Sequence, residues 1–144
     1  MRKADLLADA DRLRKPLSGS VIVFFSGAVD SAYQLRPWLR AFEQLDAAHG
    51  VTVVLRDSRM AAEVRAASTL DCVTLATIGQ LDEILALSDV KLALYVNHYA
   101  GNFQCLRFPS LVHVYLGHGD ACGELIALRD RQWAQALAQG ATGP

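Results

Sequence analysis

Histidine is the side chain whose ordinary pKa lies nearest to neutral pH, and one histidine of this chain stands in a setting that suits catalysis. His118 lies between Gly117 and Gly119 and is followed by Asp120. The glycines leave room for a substrate to approach the ring, and a carboxylate two residues away can orient an imidazole or raise its basicity. We therefore interpret His118 and Asp120 as candidate catalytic residues. The alternative is that His118 is only a turn residue.

The other histidines carry weaker signals. His113 falls in the middle of a predicted strand and is expected to be a core imidazole that is hydrogen-bonded to a neighbour, whereas His49 is expected to face solvent at a helix end. His98 has two open interpretations, facing a crevice or holding its own loop. A metal site would need His98 together with His118 and Asp120. That spacing is not typical of metal ligands, so no metal is predicted.

The elements that must position these residues follow from hydrophobic periodicity. Short apolar runs predict five strands, at residues 21–25, 51–55, 72–76, 91–96 and 110–116, the last expected to be buried on both faces. Amphipathic segments predict helices at residues 3–15, from Asp30 or Ser31 to Gly50, and at 58–67, 80–87 and 124–139. Pro37 predicts a kink in the second helix or a late first turn.

Strands that alternate with helices predict a Rossmann-like, doubly wound α/β domain over residues 1–144, with a mostly parallel five-stranded sheet and helices on both faces. The expected strand order is 3-2-1-4-5, which places the switch point between the first and fourth strands. Ligands bind in the crevice at such a point. The candidate substrate-binding residues are therefore those of the loops that meet there: Ser26, Gly27, Asn97, His98, Gly117 and Gly119.

Several familiar motifs are absent from the sequence. The segment SGAVDS after the first strand lacks the GxGxxG spacing of dinucleotide sites and is not followed by a Walker lysine, and no GxSxG elbow occurs. A helix beginning near Asp30 could attract a phosphate, but the Asp30 carboxylate opposes an anion, and a helix cap is the simpler interpretation. No cofactor is predicted.

Composition narrows the class of protein further. The 144 residues are 52% apolar and carry a formal net charge of −1, which gives no reason to expect a nucleic-acid partner. Basic residues are concentrated in the first fifteen positions, so peripheral membrane contact stays open, although three aspartates offset them. The three cysteines form no CxxC pair and no apolar run reaches the length of a membrane span. We expect a cytoplasmic protein.

The run SLVHVYLGHGD, preceded by LALYVNHYAGNFQCLRFPS, resembles a segment of the CDP-glycerol glycerophosphotransferases, the teichoic-acid polymerase and primase family. In that family a strand reading roughly HxxLxHG closes the N-terminal domain of a GT-B enzyme. The resemblance extends more loosely back through VIVFFSG. It implies that His118 is the base that deprotonates an acceptor hydroxyl, which then attacks the β-phosphate of CDP-glycerol and releases CMP.

The chain departs from the family at two points. It reads HGDACGE where many members read HGTPLK, and the family binds the nucleotide in a C-terminal domain that has no counterpart here. The expectation is therefore the acceptor-side half of a glycerophosphotransferase, inactive alone, whose partners are CDP-glycerol and a polyol-phosphate acceptor once a donor domain completes it. The alternatives are a stand-alone binding or regulatory module that dimerises or docks on a partner, and a small enzyme that uses His118 and Asp120 on an unknown substrate.

Overall fold

The computed structural model describes residues 9–117, which form an α/β fold around one five-stranded sheet. All strand pairs are parallel, and the strand order is β3-β2-β1-β4-β5, as predicted. The strands are β1 (Val21–Phe25), β2 (Val51–Leu55), β3 (Asp71–Thr74), β4 (Leu92–Tyr95) and β5 (Val112–Tyr115). The helices are α1 (Ala32–Leu35), α2 (Leu39–His49), α3 (Ser58–Ala67), α4 (Gly79–Leu87) and α5 (Phe103–Leu106).

Alternate residues of the central strand face two separate cores. Val21, Val23 and Phe25 pack on the side that holds α1, α2 and α3, whereas Ile22 and Phe24 pack on the side that holds α4 and α5. Every residue of β1 and β2 is buried, which is why their unbroken apolar runs predict both strands with the observed bounds. Helices cover both faces of the sheet, and the predicted doubly wound class is confirmed.

Pro37 interrupts the second predicted helix. The chain forms the short helix α1, then a 3-10 turn at Arg36–Trp38, and only then the regular helix α2. Proline has no N–H to donate and its ring crowds the preceding turn, so the backbone tightens where the proline lies. The predicted kink is confirmed. Its effect is to turn the Trp38 side chain into the core beside the ring of Phe42, with ring centroids 6.0 Å apart.

The prediction for β5 is wrong in one respect. Residues 110–116 were expected to form a strand buried on both faces, but the strand spans Val112–Tyr115 and lies at the edge of the sheet. Val112 and Val114 are only partly buried, and Tyr115 is 40% exposed. An apolar run does not reveal whether a strand has one neighbour or two. Two other strands differ slightly from their predicted ranges. β3 is Asp71–Thr74 where 72–76 was predicted, and β4 is Leu92–Tyr95 where 91–96 was predicted.

The opening segment packs against the sheet. Residues 9–12 are helical, and a turn follows where the helix was expected to run on to residue 15. Arg12 forms an ion pair with Asp71, and a carboxylate oxygen of Asp9 accepts a hydrogen bond from the Thr74 amide at 3.1 Å. Leu13 is buried in the core that contains α4. The predicted helix at residues 124–139 lies outside the described residues.

Candidate functional site

The switch point of the sheet lies between β1 and β4, and the loops that follow these two strands are in direct contact. A Cβ atom added to Gly101 would lie 2.5 Å from the Ser26 hydroxyl oxygen, so only glycine allows the two loops to approach this closely. The predicted meeting of loops 26–31 and 97–102 is therefore confirmed. Gly27 is buried and does not line the nearby cavity.

Two buried amides hold the loop that follows β4. The Asn97 side-chain nitrogen donates to the Gln34 side-chain oxygen at 3.0 Å, and the Asn102 side-chain nitrogen donates to the Asn97 carbonyl at 2.7 Å. Asn97 is 3% exposed, and the side-chain oxygens of both asparagines are buried without a hydrogen-bond partner among residues 9–117. Asn97 was predicted to bind substrate; one N–H of its side-chain amide is used to anchor the loop, and its side-chain oxygen has no partner among residues 9–117.

The third loop begins at the end of β5, where the chain is anchored twice. The Leu116 amide donates to the Tyr95 carbonyl at 2.8 Å, and the Trp38 indole nitrogen donates to the Gly117 carbonyl at 2.6 Å. Gly117 has a φ of 80°, a left-handed conformation that favours glycine. The chain thus leaves β5 held between the end of β4 and the start of α2. His118, Gly119 and Asp120 lie outside the described residues.

The remaining histidines stand in three different environments. His98 is exposed and stacks on Tyr115, with ring centroids 3.8 Å apart, so it joins its loop to the end of β5. His49 is exposed at the end of α2, as predicted. His113 is half-buried between the Tyr95 hydroxyl, 2.8 Å from Nδ1, and the Phe108 carbonyl, 2.7 Å from Nε2. The hydrogen bonds predicted for His113 are confirmed, but the ring is only half-buried because β5 is an edge strand.

Those two contacts fix the proton on the His113 ring. A carbonyl only accepts hydrogen bonds, so Nε2 carries the proton that it donates to Phe108, and in the neutral ring Nδ1 accepts from the Tyr95 hydroxyl. Burial, with a smaller contribution from Cys105, raises the pKa of Tyr95 above its usual range. His113 is therefore committed to structure on both sides of its ring.

A cavity that the sequence did not reveal lies at the carboxyl edge of the sheet. It has a volume of about 370 Å³, and its lining comes from the loops after β1, β2 and β4: Ser26, Ala28, Arg56, Asp57, Ser58, Arg59 and Tyr99. Ser26 was a predicted binding residue, but the segment RDSR at 56–59 was not. The sequence did contain a signal for this cavity. These charged and hydroxyl-bearing residues lie where a predicted strand ends and a predicted helix begins, and α/β proteins place their sites at such junctions.

Asp57 organises the cavity wall that leads into α3. One carboxylate oxygen accepts the Arg59 amide at 2.9 Å, capping the helix, and the other accepts the Arg59 guanidinium at 2.8 Å and the Val29 amide at 3.3 Å. The hydrogen bond from the Arg59 side chain is the largest of the effects that hold the Asp57 pKa below its ordinary value. Asp57 is thus ionised and fully engaged, and it ties the loop after β1 to the start of α3.

Within residues 9–117, no group of three or more histidine, cysteine, aspartate and glutamate side chains could hold a metal ion. No helix in that same range is both long enough and apolar enough to cross a membrane.

Comparison of the chain with protein-family models, with curated proteins and with solved structures finds no significant match. The class that the chain itself defines is a Rossmann-like α/β domain with its polar crevice at the switch point.

Proposed function

We propose that this chain supplies the acceptor-side domain of a glycerophosphotransferase-like enzyme of teichoic-acid-type polymer synthesis, with His118 as the general base and Asp120 as its orienting partner. The observation that carries the proposal is the hydrogen bond from the Trp38 indole to the Gly117 carbonyl. It ties the residue before His118 to the start of α2 just beyond the carboxyl end of β5, and open α/β sheets bind their substrates along that edge, which supports a place for His118 there.

In the proposed reaction, His118 accepts the proton of an acceptor hydroxyl, and the oxygen attacks the β-phosphorus of CDP-glycerol. A new phosphodiester bond forms to the acceptor while the bond from the β-phosphorus to the bridging oxygen breaks, and CMP leaves with that oxygen and its electron pair. The proton on His118 passes to solvent. Positioning and charge neutralisation dominate such a transfer. Without a donor domain that holds CDP-glycerol, the chain alone turns over nothing.

The remaining predicted residues have positioning roles in this proposal. Ser26 lies at the contact between the first two loops, and the buried Asn97 side-chain oxygen, which has no hydrogen-bond partner among residues 9–117, suits a hydroxyl group of a polyol. His98 stacks on Tyr115 and so supports the end of β5. Gly117 and Gly119 have no side chain that would compete with the acceptor for access to His118.

The same proposal includes where in the cell the protein acts and whether it forms a dimer. An enzyme that uses a cytoplasmic nucleotide donor and a growing polymer is expected at the inner face of the cell membrane, and the basic residues near the N-terminus suit contact with anionic lipid. A homodimer through the partly exposed edge strand β5 stays a prediction.

A second candidate is a stand-alone binding module without catalytic activity. The observation in its favour is that three loops of this chain already form a polar cavity at the carboxyl edge. A ligand could therefore bind there without a second domain. This candidate predicts binding that is indifferent to the loss of the His118 imidazole.

Binding of an acceptor distinguishes the two candidates. The imidazole signals of the histidines are followed by heteronuclear NMR while a glycerol phosphate oligomer is added, and His118→Ala assigns the signal of interest. We expect the His118 signal to shift and the signal of His49, exposed at the end of α2, to stay in place. An oligomer that binds without moving the His118 signal favours the binding module, and absence of binding removes the transferase proposal.

A further inference from the structure

The cavity at the carboxyl edge contains more positive than negative charge. Two of its lining residues are arginines, Arg56 and Arg59, and one is a carboxylate, Asp57. Asp57 is already engaged by Arg59 and by two backbone amides, so its charge is locally compensated. Among the charged residues that line the cavity, Arg56 is therefore the one whose charge is not compensated by Asp57.

Arg56 has no carboxylate partner in the part of the chain that the structure describes. Its guanidinium donates one hydrogen bond, to the Leu75 carbonyl at 3.2 Å, and the side chain is half-buried at the cavity wall. A partly buried cation is stabilised by a negative partner, and a guanidinium has five N–H donors in a planar fork that suits the oxygens of a phosphate. The unmatched donors of Arg56 therefore indicate an anion.

A second, independent group points to the same ligand. Ser26 is one of the residues that line the cavity, and its hydroxyl oxygen is buried with no hydrogen-bond partner among the described residues. Buried hydroxyls are nearly always hydrogen-bonded in folded proteins, so a partner from a ligand or solvent is expected. A phosphate oxygen accepts the hydrogen bond that this hydroxyl can donate.

The start of α3 contributes less than it would in an uncapped helix. Its Arg59 amide donates to the Asp57 side chain and its Met60 amide to the Asp57 carbonyl, so neither is free for a ligand. The helix dipole still favours negative charge near Ser58. The case for an anion therefore rests on Arg56 and Ser26, with α3 as a supporting feature.

We propose that this cavity binds the phosphoryl group of a phosphorylated polyol, with Arg56 and Ser26 as its main contacts. The volume of about 370 Å³ suits a ligand of that size. Arg56 neutralises phosphate charge, Ser26 donates to a phosphate oxygen, and Tyr99 borders the opening to solvent. Assigning the phosphate to the acceptor rests on the proposed function, whereas the phosphate site itself does not.

The test is a calorimetric titration of the full chain with sn-glycerol 3-phosphate, inorganic phosphate and unphosphorylated glycerol, all at one ionic strength. Arg56→Gln removes the charge at the cavity. Arg40→Gln removes the same charge from an exposed position on α2 that does not line the cavity. Ser26→Ala removes only the hydroxyl, and it provides a second variant if Arg56→Gln unfolds. Thermal unfolding establishes that each variant is folded.

We expect the wild-type chain to bind both phosphate-bearing ligands and not glycerol. Arg56→Gln should weaken binding at least about tenfold, as the loss of a charge-assisted hydrogen bond predicts, and Ser26→Ala by a smaller factor. Arg40→Gln should bind like the wild type. Equal loss in Arg56→Gln and Arg40→Gln, equal binding of glycerol, or no binding of either phosphate ligand overturns the site.

The two phosphate ligands separate the sources of the phosphoryl group. Tighter binding of glycerol phosphate identifies an organic phosphate, whereas equal affinity leaves an inorganic phosphate site and overturns the polyol assignment. Failure of this site and failure of the transferase proposal are distinguishable. Phosphate binding that depends on Arg56, together with an unmoved His118 signal, leaves the site standing without the transferase.

Discussion

The indole nitrogen of Trp38 donates a hydrogen bond to the backbone carbonyl of Gly117, 2.6 Å away and 79 positions further along the chain. Trp38 lies in the 3-10 turn that Pro37 introduces before α2, and Gly117 follows the edge strand β5. A helix on one face of the sheet is thereby joined to the turn that leads to His118. The proline break and the position of Gly117, the residue before the candidate base, are parts of one arrangement.

Replacing Trp38 by phenylalanine removes this hydrogen bond and keeps an aromatic ring beside Phe42. We expect Trp38→Phe to lower the free energy of unfolding by about 1–2 kcal/mol, because the Gly117 carbonyl loses its partner. Urea unfolding measures the loss. The carbonyl carbon signal of Gly117 should move in NMR spectra while that of Val53, in the middle of β2, stays unchanged. A stationary Gly117 signal would show that the hydrogen bond is absent in solution.

Gly101 permits the contact between the loops that follow β1 and β4. Gly101→Ala places a Cβ atom 2.5 Å from the Ser26 hydroxyl oxygen, so we expect a loss of about 1–3 kcal/mol in unfolding free energy. Combining it with Ser26→Gly should recover part of that loss. Gly79→Ala is the matched control, since the nearest atom to its added Cβ is 3.9 Å away. Equal stability of Gly101→Ala and Gly79→Ala would refute the close approach.

The carboxylate of Asp57 makes the free energy of unfolding depend on pH in the acidic range. Its pKa in the folded chain lies below the ordinary value, first because Arg59 donates to it. Its contribution is thus complete above the unfolded pKa of about 4 and is lost as pH falls through the lower, folded pKa. Asp57→Asn keeps a capping residue but removes the charge. In urea titrations we expect it to be less stable than the wild type near neutral pH, with the difference shrinking in strong acid. A difference that is constant with pH would exclude the ionic contribution.

The hydroxyl of Tyr95 makes the free energy of unfolding depend on pH in the alkaline range, where stability falls as the pH rises. Burial raises its pKa in the folded chain, so its contribution is complete below the unfolded pKa of about 10 and is lost as pH rises through the folded pKa. Tyr95→Phe also leaves the His113 ring nitrogen without its partner, and we expect it to cost about 1–2 kcal/mol at neutral pH. The alkaline fall in unfolding free energy should be shallower in Tyr95→Phe than in Tyr33→Phe, whose ring is 61% exposed. Identical alkaline profiles for the two variants would disprove this role of Tyr95.

The sheet could be predicted from the sequence because its central strands are apolar at every position. Val21–Phe25 and Val51–Leu55 are buried on both faces, so their apolar runs define them, and the alternation with helices predicts a parallel sheet for which the observed order is one of the common arrangements. The edge position of β5 could not be predicted in the same way. It depends on which strands lie beside it, and a run such as Val112–Tyr115 has the same composition in either place.

The candidate site was predictable only in part. Ser26 and Asn97 follow strands that meet at the switch point, so the topology brings their loops together. The charged cavity depends instead on side-chain contacts, above all on how Asp57 engages Arg59, while Arg56 has no carboxylate partner among residues 9–117. The spacing of residues along the sequence does not show which of these charged side chains pair with one another. A charged segment between a strand and a helix is the one sequence signal that would have found it.

Release of CMP tests the central proposal most directly. The chain is mixed with CDP-glycerol, a glycerol phosphate acceptor and a separately produced donor domain from a glycerophosphotransferase, and CMP is measured against the donor domain alone. We expect release above that background, lost in His118→Ala and retained in His49→Ala. Release that is unchanged in His118→Ala, or no release from the wild-type mixture above the donor-domain background, would contradict the assignment of His118 as the base of an acceptor domain.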